Sequence, residues 1–171
     1  VVTFNAKENF ENSLTIPLDE NFTARATFWK GECNYRLNNF NDALTNFKTF
    51  YSNSEASKTE EFEHINYNIG YAYFKQKEYE KATLEFKNYT NKNTDDKIRR
   101  NDSYLRIADC YFASSSYSNA IIYYSKAIEM KGIDGDYAQF QKAISYGLIN
   151  KENDKIATLN SFLNTYLRSG Y

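Results

Sequence analysis

The chain has 171 residues, 42% hydrophobic and 18% aromatic, with 21 Lys and Arg against 22 Asp and Glu for a formal net charge of −1. That balance gives no electrostatic reason to expect nucleic acid or an acidic membrane surface as partner, and no apolar run approaches the ~20 residues of a membrane-spanning helix. The length sets a prior of one domain; the chain opens at Val1 without a start methionine, so it reads as a piece of a longer or processed protein.

Taken in order, residues 1 to 14 carry Ala6, Phe10 and Leu14 on one helical stripe. The segment reads as the second half of an incomplete helix pair, with a simple capping helix as the other reading, and Pro17 ends it. A helix over 19–36 is followed by a partner over 41–52 and a polar turn, Asn53 to Ala56. Ser57 and Glu60 match a capping box for a helix over 58–76, which is followed by one over 79–91. Thr94-Asp95-Asp96 can cap a helix over 97–114. A helix over 117–131 comes next, then a turn punctuated by Gly132 and Gly135, then helices over 136–149 and 153–168.

These helices come in pairs with fixed internal spacing. In Asn66 to Tyr89, Gly70 and Ala82 lie twelve residues apart, with Tyr79, Phe86 and Tyr89 at −3, +4 and +7 from Ala82. Gly31 and Ala43 repeat this with Phe40, Phe47 and Phe50; Ala108 and Ala120 repeat it with Tyr117, Tyr124 and Ala127. A weaker copy runs from Ala143 to Lys155 with Leu159 and Phe162. The second-helix markers Ala43, Ala82, Ala120 and Lys155 are 39, 38 and 35 residues apart, a period that means stacked helical hairpins. A small residue on each helix lets two backbones approach, and aromatics fill the space beside them.

This pattern resembles the tetratricopeptide repeat, a helix-turn-helix unit of 34 residues. The resemblance implies an all-α, right-handed α-solenoid of tandem tetratricopeptide-like hairpins within a single domain: a half repeat or capping helix at 1–17, then repeats at 24–62, 63–100, 101–135 and 136–168. The departures are Lys30 and Lys142 before the small residue, Asn34 where Tyr is expected, the missing closing prolines, and Lys155 at an Ala position. Copy four, which has Lys155 at its marker and lacks the aromatic before it, is either a degenerate copy or a solvent-facing end repeat. The run Trp29 to Tyr35, with Phe40 and Ala43, further resembles repeats of bacterial cell-envelope tetratricopeptide proteins, such as the periplasmic coordinator of envelope constriction and the outer-membrane assembly lipoproteins. That implies a bacterial periplasmic setting, with the cytoplasm as the next choice.

Catalytic constellations are scarce. His64 is the sole histidine and has no Cys or Ser in a recognisable nucleophile motif. No Cys-x-x-Cys, His pair or Asp-x-Asp loop suggests a metal, and no cofactor is expected. Gly31, Gly70 and Gly147 sit within helices as packing glycines rather than in phosphate loops. Lys97-Arg99-Arg100 reads as a solvated helix start. The Asn-x-Ser/Thr triplets at Asn21, Asn88 and Asn101 are what an Asn-rich chain gives by chance. Cys33 and Cys110 fall on the first helices of copies one and three, which in stacked hairpins is too far for a disulfide, so two reduced thiols are expected.

The expected function is therefore a surface. In the family the first helix of each pair lines the concave face. By offset that face would be Arg25, Phe28, Trp29, Glu32, Tyr35 and Arg36 in copy one, and His64, Tyr67, Asn68, Tyr71, Phe74 and Lys75 in copy two. Copy three would supply Asp102, Leu105, Arg106, Asp109 and Phe112; copy four would supply Tyr137, Phe140, Gln141 and Ile144. Aromatics mixed with Arg and Asp suit recognition of a protein, a peptide or a partner helix, although some of these residues should instead pack between repeats. Phe28, Glu32 and Asp102 stand where the family's clamp for chaperone tails needs basic or amide residues, which argues against that ligand. A non-enzymatic interaction scaffold is the leading reading; a glycan-binding surface and an accessory domain of a larger cell-envelope protein are the alternatives.

Overall fold

The computed structural model describes residues 2–15, 19–92 and 95–171, and these form an all-α chain of the helical-repeat class. The α-helices are α1 (Val2–Thr15), α2 (Glu20–Arg36), α3 (Phe40–Ser52), α4 (Glu61–Lys75), α5 (Tyr79–Thr90), α6 (Lys97–Ala113), α7 (Tyr117–Glu129), α8 (Gly135–Leu148) and α9 (Glu152–Thr165). Each begins or ends within three residues of the span expected from its periodicity. Pro17 and Thr94 lie outside the described residues. The chain forms two compact units, residues 1–85 and 86–171, with the boundary inside α5.

In the first unit α1 packs on α2, α2 on α3, and α3 on α4. Gly31 explains the α2–α3 contact, because a Cβ there would stand 2.7 Å from two ring carbons of Phe47. Phe28 closes the same space, with its ring 5.6 Å from that of Phe47 and 5.2 Å from that of Phe50. On the next interface Tyr51 stacks on Phe62 of α4 at 5.5 Å. The stripe read on α1 is its half-buried face, and Lys30 of α2 ties down Glu11 at 3.3 Å.

In the second unit α6 packs on α7, α7 on α8, and α8 on α9. Its core is Leu105, Ala108, Ala120, Tyr124, Ala127 and Ala138. The small-residue and marker positions Gly31, Gly70, Ala43, Ala82, Ala108, Ala120 and Ala143 are all buried; Lys155 alone of this set is only half-buried. Its stem lies against Gly147, where a Cβ would be 3.1 Å from Lys155 Cδ, and its ammonium reaches out to Glu152 at 3.4 Å. An amphipathic side chain can do this because its methylenes cover backbone while its charge stays wet.

The turns inside the hairpins share a device that the sequence does not announce. Asn38, Lys77, Ser115 and Asn150 all have positive φ, between 58° and 63°. Each sits five residues before its marker, so the turn repeats with the array. In each case the next residue closes a six-residue ring back onto the preceding helix: Asn39 N–H to Asn34 O (2.8 Å), Glu78 to Tyr73 (3.0 Å), Ser116 to Tyr111 (2.8 Å) and Lys151 to Tyr146 (3.0 Å). This is the helix C-cap usually given to glycine, made here by Asn at two of the turns and, at the other two, by Lys77 and Ser115, for which left-handed backbone is costly.

One local expectation is corrected. The Ser57–Glu60 capping box does not form. Residues Ala56–Lys58 make a short 3₁₀ turn, Ser57 Oγ donates to Ser54 O at 3.2 Å, and α4 starts at Glu61 with no side-chain cap. Buried Ala56 and Thr59 draw that turn inward and hold Ser57 outside the helix start. The glycines of the 132–135 turn do not supply its left-handed residue, which is Lys131 at φ 53°. They allow close approach instead: a Cβ at Gly132 would fall 2.1 Å from Asn101 Oδ1, and one at Gly135 would fall 2.5 Å from the Tyr166 hydroxyl oxygen. The cap expected before α6 is made by Asp96, which accepts from Arg99 N–H at 2.9 Å. Both cysteines are buried and neither is in a disulfide.

Candidate interaction surfaces

In the first unit, one face is built where α2 lies beside α4. Arg25 and Trp29 stand one helical turn apart on α2, so both reach the first residue of α4. Arg25 Nε donates to Glu61 Oε1 at 2.9 Å, and Trp29 Nε1 donates to the same oxygen at 3.0 Å. One turn further along, Asn68 Nδ2 donates to Glu32 Oε1, and Arg36 Nε lies 3.8 Å from Glu32 Oε2. Beyond that, Tyr35 meets Tyr71 edge to face at 6.5 Å; Tyr71 in turn contacts Tyr67 at 5.0 Å and Phe74 at 6.4 Å. The three pairings Arg25–Glu61, Glu32–Asn68 and Tyr35–Tyr71 each join residues 36 apart, so they are rungs between the same two helices.

Exposure divides the expected lining. Trp29 is 40% exposed, Arg25, Arg36 and Lys75 are exposed, and Glu32, Tyr35, His64, Tyr67, Asn68, Tyr71 and Phe74 are half-buried. Phe28 is 4% exposed and belongs to the α2–α3 core. Glu61 was not foreseen, because an acidic residue in a first turn reads as a complement to the helix dipole. Burial pushes its carboxyl up, but a backbone hydrogen bond, Arg25 and Trp29 together hold it below the ordinary range, so it stays ionised at neutral pH.

In the second unit the expected charges form a network. Arg106 Nη1 lies 2.7 Å from Asp109 Oδ2, and its Nε lies 3.3 Å from Asp102 Oδ1. Asp109 Oδ1 accepts from the hydroxyls of Tyr124 (2.8 Å) and Tyr137 (2.9 Å). Burial pushes the Asp109 carboxyl up, opposed by Arg106 and the two hydroxyls, and the same burial beside Asp109 pushes both phenols up. With both oxygens engaged, Asp109 fixes α6, α7 and α8 together and has little left to offer a ligand. Leu105 is in the core, Phe112 packs on Tyr117 at 5.4 Å, and Gln141 and Ile144 are half-buried on α8. Phe140 lies between Phe162 (6.1 Å) and Tyr171 (5.6 Å), and Tyr171 also meets Tyr137 at 5.7 Å.

Among the described residues no group of three or more His, Cys, Asp or Glu could hold a metal ion, and no helix is long and apolar enough to cross a membrane.

Comparison with known proteins agrees with this architecture. The tetratricopeptide repeat family model matches residues 63–89 and 102–134. No curated protein sequence matches the chain. Among solved structures, a MamA protein superposes with a TM-score of 0.79 at 18% identity, covering 97% of this chain and 84% of its own. The C-terminal part of a tetratricopeptide repeat-containing protein from Cytophaga hutchinsonii gives a TM-score of 0.77 at 16% identity, over 95% of this chain and 59% of its own. The pilF protein of Pseudomonas aeruginosa gives 0.65 at 15% identity, over 95% and 68%. At these identities the likeness is one of fold. Residues 63–89 and 102–134 thus match the tetratricopeptide repeat, within a chain that takes the all-α helical-repeat fold of these structures.

Proposed function

We propose that the chain is a non-enzymatic scaffold that holds a peptide or a partner helix against the α2/α4 face. Tetratricopeptide repeats mediate protein–protein interactions, and that general role is the background to the proposal. The observation that carries the specific reading is the ladder of rungs between α2 and α4. It combines a part-exposed Trp29, the aromatic group Tyr35, Tyr67, Tyr71 and Phe74, and exposed cations at Arg25, Arg36 and Lys75. Aromatic and arginine side chains dominate binding energy at protein interfaces. Here their positions are fixed before any partner arrives, because Trp29 is held by Glu61, and Tyr71 by Tyr35, Tyr67 and Phe74. Pre-organisation of this kind lowers the entropy lost on binding.

The test uses peptides selected against the intact protein from a random display library, with affinities measured by calorimetry. Trp29→Ala and Tyr71→Ala should each weaken binding by about 1–3 kcal/mol without loss of helicity. Unchanged affinity in both variants would place the binding surface elsewhere. If saccharides titrate with saturation and no peptide does, the surface is a glycan site.

A further inference from the structure

The segment after α9 does not lead away from the protein. Tyr166 N–H donates to Phe162 O at 2.9 Å and Ser169 N–H to Tyr166 O at 3.1 Å, so the chain turns back over α8. Ser169 Oγ then donates to Asp136 Oδ2 at 2.9 Å. The Tyr171 ring stacks on Phe140 (5.6 Å, 25° between planes) and leans on Tyr137 (5.7 Å, 56°). Tyr137 and Phe140 are the residues that the repeat offsets put on the partner-facing side of copy four.

The slot and its occupant are held very differently. Tyr137 is fixed from below by its hydroxyl on Asp109, and Phe140 is backed by Phe162. Tyr171 remains 58% exposed, and Gly170 has no atom within 4 Å of where a Cβ would be, so any residue fits there. What the slot reads is therefore a hydroxyl on Asp136 and, two residues on, an aromatic ring on Phe140 and Tyr137. Tyr171 N–H also donates back to Ser169 Oγ at 3.3 Å, a local turn that keeps the hydroxyl and the ring close together on this short segment.

We propose that Asp136, Tyr137 and Phe140 form a peptide subsite for a hydroxyl–x–aromatic turn, occupied in cis by Ser169-Gly170-Tyr171 and opened when an external segment of that chemistry displaces it. A short tether gives the internal segment an effective concentration in the millimolar range. A weak external peptide therefore meets a several-fold handicap in the intact chain, and a stronger one overcomes it. All residues involved belong to the second unit, so the proposal stands or falls apart from the α2/α4 reading.

The probe is a blocked synthetic peptide with the sequence of residues 166–171, titrated into isotope-labelled protein and followed by NMR. The Tyr171→Ala variant should bind it about three- to tenfold more tightly than the intact chain. Shifts should centre on Asp136, Tyr137 and Phe140, and the same peptide with its final Tyr replaced by Ala should not bind. The amide spectrum reports whether the variant is folded. In the intact chain, ring-to-ring Overhauser contacts between Tyr171 and Phe140 should be present without peptide. Equal affinity for intact and variant protein, no binding to the variant at millimolar peptide, or missing ring contacts in the intact chain would each overturn the proposal.

Discussion

The α2–α3 and α8–α9 hairpins turn in the same way and pack by different means. Both turns have an Asn with left-handed backbone, Asn38 and Asn150, and the same closing hydrogen bond. Past the turn they diverge. On α3, Ala43, Leu44, Phe47 and Phe50 are buried, one side against α2 and the other toward α4. On α9 Phe162 alone is buried, and Ile156, at the offset of buried Leu44, is 55% exposed. The turn is thus a local property of the repeat. Burial of the second helix depends on the helix that follows, since each hydrophobic stripe needs a neighbour to cover it.

Three sets of substitutions probe this difference, and native-state hydrogen exchange in each hairpin is the readout, because repeat arrays do not always unfold in one step. The largest effect is expected at +4 from the marker. Phe47→Ala should cost about 3–5 kcal/mol in the first unit. Leu159→Ala, half-buried at the matching place on α9, should cost under ~1 kcal/mol. Similar losses would mean that α9 is covered as fully as α3.

Next come the glycines. Gly31→Ala should destabilise by about 1–3 kcal/mol, because its Cβ meets the Phe47 ring at 2.7 Å. Gly147→Ala should stabilise by about 0.5–1 kcal/mol, because its Cβ meets only the flexible Lys155 stem at 3.1 Å and a helical alanine is preferred to glycine. The same sign at both sites would remove the distinction between a ring-filled and a stem-covered contact.

The smallest effects belong to the turns. Asn38→Gly and Asn150→Gly should each change stability by less than ~0.5 kcal/mol, because Asn already tolerates left-handed backbone. Ser115→Gly, at the matching turn between α6 and α7, should stabilise by about 1 kcal/mol.

Much of this architecture was legible in the sequence because it rests on spacing. Gly31 with Ala43 and Ala108 with Ala120 mark helix contacts wherever they recur, and the helix spans follow from the aromatics around them. The turns were not legible in the same way. Lys77 and Ser115 adopt a conformation that no propensity assigns to them; the geometry of two packed helices imposes it. At the surface, offset counting chose Trp29, Tyr35 and Tyr71, which lie on the α2/α4 face, but also Phe28, whose side of α2 faces α3. It missed Glu61, whose role comes from lying across from Arg25 and Trp29 on another helix. It also missed Tyr171, which reaches α8 through a segment without periodicity.

The interaction account rests most directly on Trp29, because it is the sole tryptophan of the chain and stands on the α2/α4 face. Its fluorescence should therefore follow a display-selected peptide as it binds. The account predicts an emission change that saturates with the same dissociation constant as calorimetry and is weakened along with it by Tyr71→Ala. Calorimetric binding that leaves the Trp29 emission unchanged and is indifferent to Tyr71→Ala would contradict it.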